Sequence, residues 1–408
     1  MHEQSLPHSV GLDVGTSTVR VIVGTPDPND PAKPSIVGYG SAPNTGMRKG
    51  VVVHADEVAE AIVQALTEAE RLSGMQIHKA TVNVNGAHVT GMNSKGVVAI
   101  SAANRVITDE DRLRVEEAAA IVQLPPNREI VQVFAKNYRL DGQENLKDPV
   151  GMHGVRLEVD THIVSASTPN VHLLDTALEK SQVTPTNHAV SALAAAEAVL
   201  TRQQKEAGTL LLDIGAGTTN IVVIEDGEIQ HIAVLPIGGI NITNDLAIGL
   251  KTDLDVAEQV KLTLANLDEP DKKHSGSIKV NDVEYTFKTP EINMIVEARI
   301  EELFEYVDKE LKKIQRSRKL PGGVVLVGGT ANLPGIVNVA RESLQLAARV
   351  GAPRAVSGLT EAVHNPASAT AVGLMLLDML MVSPDHENNQ LHTKMVDSIT
   401  GFWQRFRR

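Results

Sequence analysis

The sequence predicts a mixed α/β protein made of two similar lobes, and three observations carry that prediction. The segment "GLDVGTSTVR", beginning at Gly11, returns at an offset of 200 residues as "LLDIGAGTTN", beginning at Leu211. Leu12 then aligns with Leu212, Asp13 with Asp213, Gly15 with Gly215 and Thr18 with Thr218, each motif opening a run of β-branched residues. Segments of strand character alternate with segments of helical periodicity. Finally, 408 residues exceed what one hydrophobic core organises and suit two or three domains of about 150 residues.

The elements follow from local pattern. "VGLDVG", "TVRVIVG" and "KPSIVGYGSAP" are short β-rich runs broken by glycine and proline. "HADEVAEAIVQALTEAERLSG" predicts a helix capped by Asp56, with Val58, Ile62, Leu66 and Ala69 on one face and a stop at Gly74. Strand character returns in "KATVNVNGAHVTGMNSKGVVAIS", and "TDEDRLRVEEAAAIV" predicts a helix capped at Thr108. Strands resume from "EIVQVFAKNYRLDG" through "GVRLEVDTHIVSAS", then a helix over "PNVHLLDTALEKSQ". The alanine-rich "NHAVSALAAAEAVLTRQQKEAG" reads as one helix crossing between lobes.

After the second glycine loop come a strand in "EIQHIAVLPIGG", a helix from about Ile242 to Gly249 and another around "LDVAEQVKLTLAN". "GSIKVNDVEYTFKTP" is a two-stranded excursion turning at Asn281 and Asp282, and "PEINMIVEARIEELFEYVDKELKKIQ" is a long amphipathic helix. "GGVVLVGGTANLPG" is a buried strand leaving into a glycine turn. "AVGLMLLDMLMV" is interrupted by Asp378 and lies between Pro366 and Pro384, which suits a core helix and not a membrane span. Residues 383–390, "SPDHENNQ", read as a linker.

Composition narrows the function classes. Hydrophobic residues make up 42% and charged residues 22%, too apolar for global disorder. A net charge of -12 argues against a nucleic-acid partner, which needs clustered Lys and Arg. With no cysteine the chain has no disulfides, thiolate nucleophiles or Cys-ligated metals. "MHEQSLPHSV" lacks an apolar core, so no secretory signal is expected. The 14 His show no metal-ligand spacing, and no G-x-S-x-G signature occurs.

The repeated loops carry the chemistry. A strand ending in an acid, then a glycine-rich turn and a second strand, offers backbone N–H groups to an anion beside a waiting carboxylate. That describes a phosphate cradle with an acid placed to hold Mg²⁺ through water. For one loop alone, an ordinary β-turn in a structural hairpin is an equally good account; the duplication favours the cradle. "GAGTTN" lacks the third glycine of a dinucleotide fingerprint and precedes a strand, and no Gly-Lys pair exists for a Walker loop.

With the third glycine element, "LVGGTANLPG", the chain resembles the actin, sugar kinase and Hsp70 superfamily, and more narrowly the FtsA family of bacterial cell-division proteins. The narrower resemblance rests on "GLDVGTSTVRVIVG", "VNVNGAHVTGMNSKGVVAIS", "DPVGMHGVRLEVDTHIV", "LLDIGAGTTNIVVI", "VLPIGGINITNDLA", "VVLVGGTANLPG" and a basic aromatic tail. It covers about Val10 to Arg408. It implies an actin-like ATPase fold with two duplicated lobes around a nucleotide cleft. The first lobe core would be 9–84 and 163–195, closed by a helix at 366–382, with a family-specific subdomain at 85–162. The second would be 196–239 and 321–365, with a small subdomain at 240–320.

The resemblance also implies ATP or ADP with Mg²⁺ as cofactors. Gly15, Thr16, Ser17 and Thr18 would form the first phosphate loop, and Gly215, Ala216, Gly217, Thr218 and Thr219 the second. Asp13 and Asp213 would lie near Mg²⁺, Gly238 and Gly239 close to the nucleotide. Gly328, Gly329, Thr330 and Asn332 would border the adenosine. Glu258 and Lys261, three apart on a helix, resemble the ribose and base contacts, a solvated ion pair being the alternative. Two departures stand out. Thr18 occupies a place that is Lys in many relatives, removing a cation from the phosphates. Val190-Ser191 stands where Hsp70-like members carry a polar pair that positions water. Slow ATP turnover at most is expected, and Glu197 further along that helix is the remaining acid in question.

The implied partners are a second copy in a head-to-tail filament, later division proteins through 85–162, and the C-terminal tail of the tubulin homologue FtsZ at 240–320. There "KELKKIQRSRK" offers charge to an acidic peptide or is simply a solvated helix end. The tail gives separate evidence. Met395, Val396, Ile399, Phe402, Trp403 and Phe406 fall on one helical face, flanked by Lys394, Arg405, Arg407 and Arg408. The sole Trp and two of five Phe lie in the last seven residues. A helix over 391–408 is too short and too charged to span a bilayer and is expected to lie on anionic lipid, at the cytoplasmic face of the cell membrane. A helix docked on the body is the alternative. Two other functions share the fold: an ATP-dependent sugar or acetate kinase, and an actin-like pilus assembly protein.

Overall fold

A computed structural model describes residues 8–27, 33–101, 104–268, 275–354 and 356–381. The linker expected at 383–390 and the membrane helix expected at 391–408 lie outside the described residues.

The repeat folds as two matching hairpins. Ser9–Val14 pairs antiparallel with Thr18–Thr25, which puts Asp13 opposite Arg20. Thr209–Ile214 pairs with Thr219–Glu225 in the same register, which puts Asp213 opposite Asn220. Both hairpins are buried on both faces, as their near-continuous β-branched runs require. The first sits in a six-stranded sheet ordered Thr184–Val190, Lys79–Val84, Ser9–Val14, Thr18–Thr25, Ser35–Pro43, Ser357–Gly358.

The second sheet has nine strands. Five belong to the second lobe: Ala348–Val350, Val324–Val327, Thr209–Ile214, Thr219–Glu225 and Glu228–Leu235. Four come from the inserted segment: Thr90–Ala99, Arg156–Ser167, Arg128–Leu140 and Gln143–Leu146. The two groups join through one residue pair, Ala233 with Thr90. The insert has its own core, in which Ile107, Tyr138, Leu157 and Val159 pack with Val115 of the helix Asp109–Ala120. Thr108 caps that helix as the sequence predicts, in a reciprocal box with Asp111.

Two expectations change. The helix Ala55–Ser73 starts two residues earlier than a cap at Asp56 allows: His54 is the N-cap, without a side-chain bond, and Asp56 lies in the first turn near the positive helix end. Its stop at Gly74 stands, with φ 70° and an N–H bond to the Glu70 carbonyl. The alanine-rich run is not one helix. "NHAV" completes the strand Thr184–Val190, Ser191–Val199 is helical, Leu200 is extended, and Arg202–Ala207 forms a second helix. The break follows from Thr201 and Gln204, which close a capping box and restart the helix.

Helix Ser191–Val199 leads from the first lobe to the second, and helix Ala369–Met381 crosses it. A Cβ at Gly373 would lie 1.7 Å from the Ala194 carbonyl oxygen, so only glycine permits this crossing. Asp378, on the same apolar helix, accepts from Val10 N at 3.0 Å, Thr81 Oγ1 at 2.8 Å and Thr186 Oγ1 at 2.6 Å. The small subdomain of the second lobe contains helices Gly239–Leu250, Leu254–Thr263 and Thr289–Lys313 and the hairpin Ser275–Val280 with Val283–Lys288. That hairpin turns at Asn281 and Asp282, both at positive φ. Among the described residues no helix is long and apolar enough to cross a membrane.

Candidate functional site

The two repeated turns face each other. Gly15 N–H donates to the Thr18 carbonyl at 3.1 Å, and Gly215 N–H to the Thr218 carbonyl at 2.9 Å, so each motif closes the same tight turn. Asn44 Nδ2 braces the first by donating to the Gly15 carbonyl at 2.8 Å. Gly239 N–H at 2.9 Å and Thr330 Oγ1 at 3.0 Å brace the second through the Gly215 carbonyl.

Between them runs a cleft of about 310 Å³, within the ordinary range for small-molecule sites. Its walls include Asp13, Gly15, Thr16, Ser17 and Thr18 from the first motif and Asp213, Gly215, Ala216 and Thr218 from the second. Gly239, Glu258, Lys261, Gly328, Gly329, Thr330 and Asn332 line its other end. Gly217, Thr219 and Gly238 support it from behind. Gly217 lies against Thr16, Thr219 Oγ1 donates to the Ile237 carbonyl at 2.9 Å, and Gly238 packs on the Gly215 and Ala216 carbonyls.

The carboxylates are buried, Asp13 and Asp213 each being 8% exposed. Burial pushes the Asp13 carboxyl up to about 7, partly offset by Arg20 and reinforced by the like charge of Asp213. Burial also raises Asp213, against bonds from Thr370 Oγ1 and Asn220 Nδ2, both 3.2 Å, and the charge of Arg20. Asn83 Nδ2 holds Asp13 at 2.8 Å and Ser191 Oγ at 3.2 Å. Two buried acids whose charge is penalised form a site that a cation would relieve. Asn220 Oδ1 adds a buried acceptor without a hydrogen-bond partner. No group of three or more His, Cys, Asp or Glu among the described residues suits a metal ion. Two acids with water and phosphate completing the shell is the manner of Mg²⁺.

Sequence reading missed Arg20, Asn83, Asn85, Asn220 and Thr370. Arg20 sets a cation near the carboxylates, and strand alternation puts it on the same face as Thr18. At the other end, Gly328 has φ 87°, and a Cβ there would meet Asp213 Oδ1 at 2.6 Å. Gly329 has nothing within 4 Å of its Cβ position, which leaves flat open space beside Leu262, Leu333 and Pro334. Lys261 is more than a solvated partner of Glu258. Its Nζ lies 2.6 Å from Glu258 Oε2 and donates to the Gly239 carbonyl at 3.2 Å and Thr243 Oγ1 at 2.9 Å.

Other expected groups are engaged elsewhere. Glu197 does not line the cleft; its carboxylate pairs with Lys205, and burial raises its pKa against that cation. Three of the six cations in the basic cluster are ion-paired, Lys312 with Asp308, Lys313 with Glu310 and Arg316 with Glu225.

Comparison with known proteins fixes the lineage. The family model described as "Cell division protein FtsA" matches residues 210–373, and that for the "SHS2 domain inserted in FTSA" matches 86–165. The cell division protein FtsA of Pseudomonas aeruginosa is 36% identical over 380 residues, covering 90% of this chain and 88% of that relative. The Bacillus subtilis FtsA is 38% identical over 370 residues, covering 90% and 82%. Among solved structures, a PilM-PilN type IV pilus biogenesis complex aligns with TM-score 0.64 at 19% identity, over 90% of this chain and 97% of that one. MreB5 of Spiroplasma citri bound to ADP aligns with TM-score 0.54 at 13% identity, over 92% and 97%. At such identities the structural matches speak for an actin-like fold alone, so the pilus likeness does not decide the family. The sequence relatives do: this chain belongs to the FtsA family of cell-division proteins, on an actin-like ATPase fold carrying the FtsA-type inserted subdomain.

Proposed function

We propose that this FtsA-family protein binds ATP or ADP with Mg²⁺ in the cleft, polymerises head to tail, and anchors FtsZ filaments to the cytoplasmic membrane at the division site. The observation that carries the nucleotide reading is the pairing of Gly15–Thr18 with Gly215–Thr218 around two buried carboxylates. Backbone and hydroxyl donors of both turns would hold phosphate oxygens, and Arg20 would add a cation. Asp13 and Asp213 would hold Mg²⁺, which when bound neutralises phosphate charge. Gly328, Gly329, Thr330 and Asn332 would border the adenosine, with Glu258 and Lys261 near the ribose. An ADP-bound relative of the same fold supports this reading.

Turnover is expected to be slow, because Glu197 is tied to Lys205 away from the cleft and Ser191 is held by Asn83. Nucleotide then serves as a switch that closes the lobes. Self-association is supported by the fold shared with the "MamK double helical filament", TM-score 0.52 at 14% identity over 91% of this chain and 98% of that one. Residues 85–162 would meet a neighbouring subunit and later division proteins, and 240–320 the FtsZ tail. The amphipathic run 391–408 would supply lipid attachment.

Calorimetry tests the core of the proposal: Mg²⁺-ATP and Mg²⁺-ADP are expected to bind, and no uptake of either removes it. Truncation after Gln390 separates the membrane part. Anionic liposomes should pellet the full chain and leave the truncated one in solution; equal pelleting removes the anchor. A peptide of the FtsZ tail should bind the full chain, and no binding removes that partner.

A further inference from the structure

The insert leaves the first lobe through a neck that bonds to the second turn of the cleft and lies against Gly50, which bonds to the first. We propose that Asn85 is a positioning residue that couples occupancy of the cleft to the setting of this neck. The proposal rests on the nucleotide reading above.

Strand Lys79–Val84 ends at the cleft wall, and Asn85, the next residue, lines it. Asn85 Nδ2 donates to Thr218 Oγ1 of the second turn at 3.2 Å, while Asn85 Oδ1 accepts from Gly86 N at 2.6 Å. Gly50 locks the same corner. At φ 75°, its Cβ position lies 2.8 Å from Gly86 N and 3.1 Å from Thr218 Cγ2, and its N–H donates to Thr16 Oγ1 at 3.0 Å. The neck, the first turn and the second turn therefore meet around one glycine, and none can shift without the others.

Past Gly86 the neck is gathered by Arg128. Its guanidinium donates to the His88 carbonyl at 2.8 Å, Thr90 Oγ1 at 2.5 Å and the Ser165 carbonyl at 2.8 Å. One side chain thus binds the strand that enters the insert, the strand that leaves it and its own strand. Ser167 N adds a bond to His88 Nδ1 at 3.3 Å. Thr90 is also the residue whose pairing with Ala233 joins the insert to the second lobe. Thr218 Oγ1 also lies within donating distance of Asn85 Oδ1, at 3.5 Å, and a hydroxyl has one proton to give. When Thr218 gives its proton to a phosphate oxygen, a charge-assisted bond, its rotamer is fixed. The Asn85 amide must then follow, and the ties of Thr90 to Arg128 and Ala233 follow Asn85.

The test uses the full-length protein, hydrogen exchange of peptides covering 90–99 and 128–140, and saturating Mg²⁺-ADP with binding followed by calorimetry. In the parent protein nucleotide should slow exchange at the neck about fivefold or more, the lower range of measured couplings. Asn85→Ala, brought to ADP saturation as judged by calorimetry whatever its affinity, should lose this difference. Arg128→Met, which keeps an unbranched stem but has no donor for the three acceptors, should do the same from outside the cleft. The readout is the change on adding nucleotide, so a uniformly loosened neck does not mimic it. Parent-like slowing in a saturated Asn85→Ala protein overturns the proposal, as does ADP binding to the parent without a change at the neck. Absence of ADP binding to the parent overturns the nucleotide reading itself, a separate and distinguishable result.

Discussion

Thr16 and Gly217 meet behind the cleft, where the two turns pack together: a Cβ on Gly217 would lie 2.8 Å from the Thr16 hydroxyl oxygen and 2.9 Å from its methyl carbon. The lobes can approach this closely because one side of the contact has no side chain. Gly217→Ala should therefore push the turns apart and lower Mg²⁺-ATP affinity about tenfold, since overpacking costs roughly 1–3 kcal/mol. Calorimetry measures this directly. Unchanged affinity would mean that the turns do not grip one ligand together.

Arg20 stands in the register position that Asn220 holds in the second hairpin, each opposite its aspartate. The repeat thus became asymmetric at one place, positive on one side and neutral on the other. Arg20→Ala should weaken ATP binding about 10- to 100-fold, the value of roughly 1.5–3 kcal/mol for a bond to a charged group. AMP binding should change far less, and Arg20→Lys should recover part of the loss. Equal losses for ATP and AMP would deny Arg20 a role at the phosphates.

The contrast shows what the sequence could carry. The two turns were legible because their chemistry is local: acid, glycine and hydroxyls lie within six residues, twice. Arg20 was within reach too, two positions past Thr18 on a strand, had the period of two been applied beyond the loop. Asn83 and Thr370 were not, because they reach Asp13 and Asp213 across 70 and 157 positions of chain. The same limit explains the alanine-rich run. Composition favours one long helix, but tertiary pairing takes "NHAV" into a sheet, and only the Thr201/Gln204 box gave local notice of the break.

Asp378 marks another interruption in pattern that the fold puts to use. The helix around it is apolar, yet its carboxylate collects three donors from two first-lobe strands and the edge strand Thr184–Val190. Asp378→Leu would leave the Val10 N–H without this acceptor and the Thr81 and Thr186 hydroxyls, 3.2 Å apart, only each other, and is expected to destabilise the protein by roughly 1–3 kcal/mol, the cost of an unsatisfied buried group. Asp378→Asn, keeping one acceptor oxygen, should lose less. Denaturant midpoints compare the three proteins, and a Leu variant as stable as the parent would show that the donors find other partners.

The seam between insert and second lobe carries a buried histidine whose titration sets a pH dependence. His162 is 2% exposed, its Nδ1 lies 2.8 Å from Asn93 Oδ1, and its Nε2 has no partner. His231 faces it edge-on at 6.5 Å between ring centroids and is itself bonded to Glu310 at 3.1 Å. Burial pulls the His162 pKa down from 6.5 to about 3, with the charges of Lys136 and His231 adding to the effect. The neutral ring belongs to the folded state and the unfolded chain binds the extra proton. Stability from this group is therefore complete above about pH 6.5 and falls as pH drops toward 3, by about 1.4 kcal/mol per unit. Between pH 7.5 and 5 the parent should lose about 2 kcal/mol more than His162→Gln, whose side chain does not titrate. Urea unfolding at several pH values reads the two slopes. Parallel slopes would show that His162 is already protonated in the folded protein or reaches solvent there.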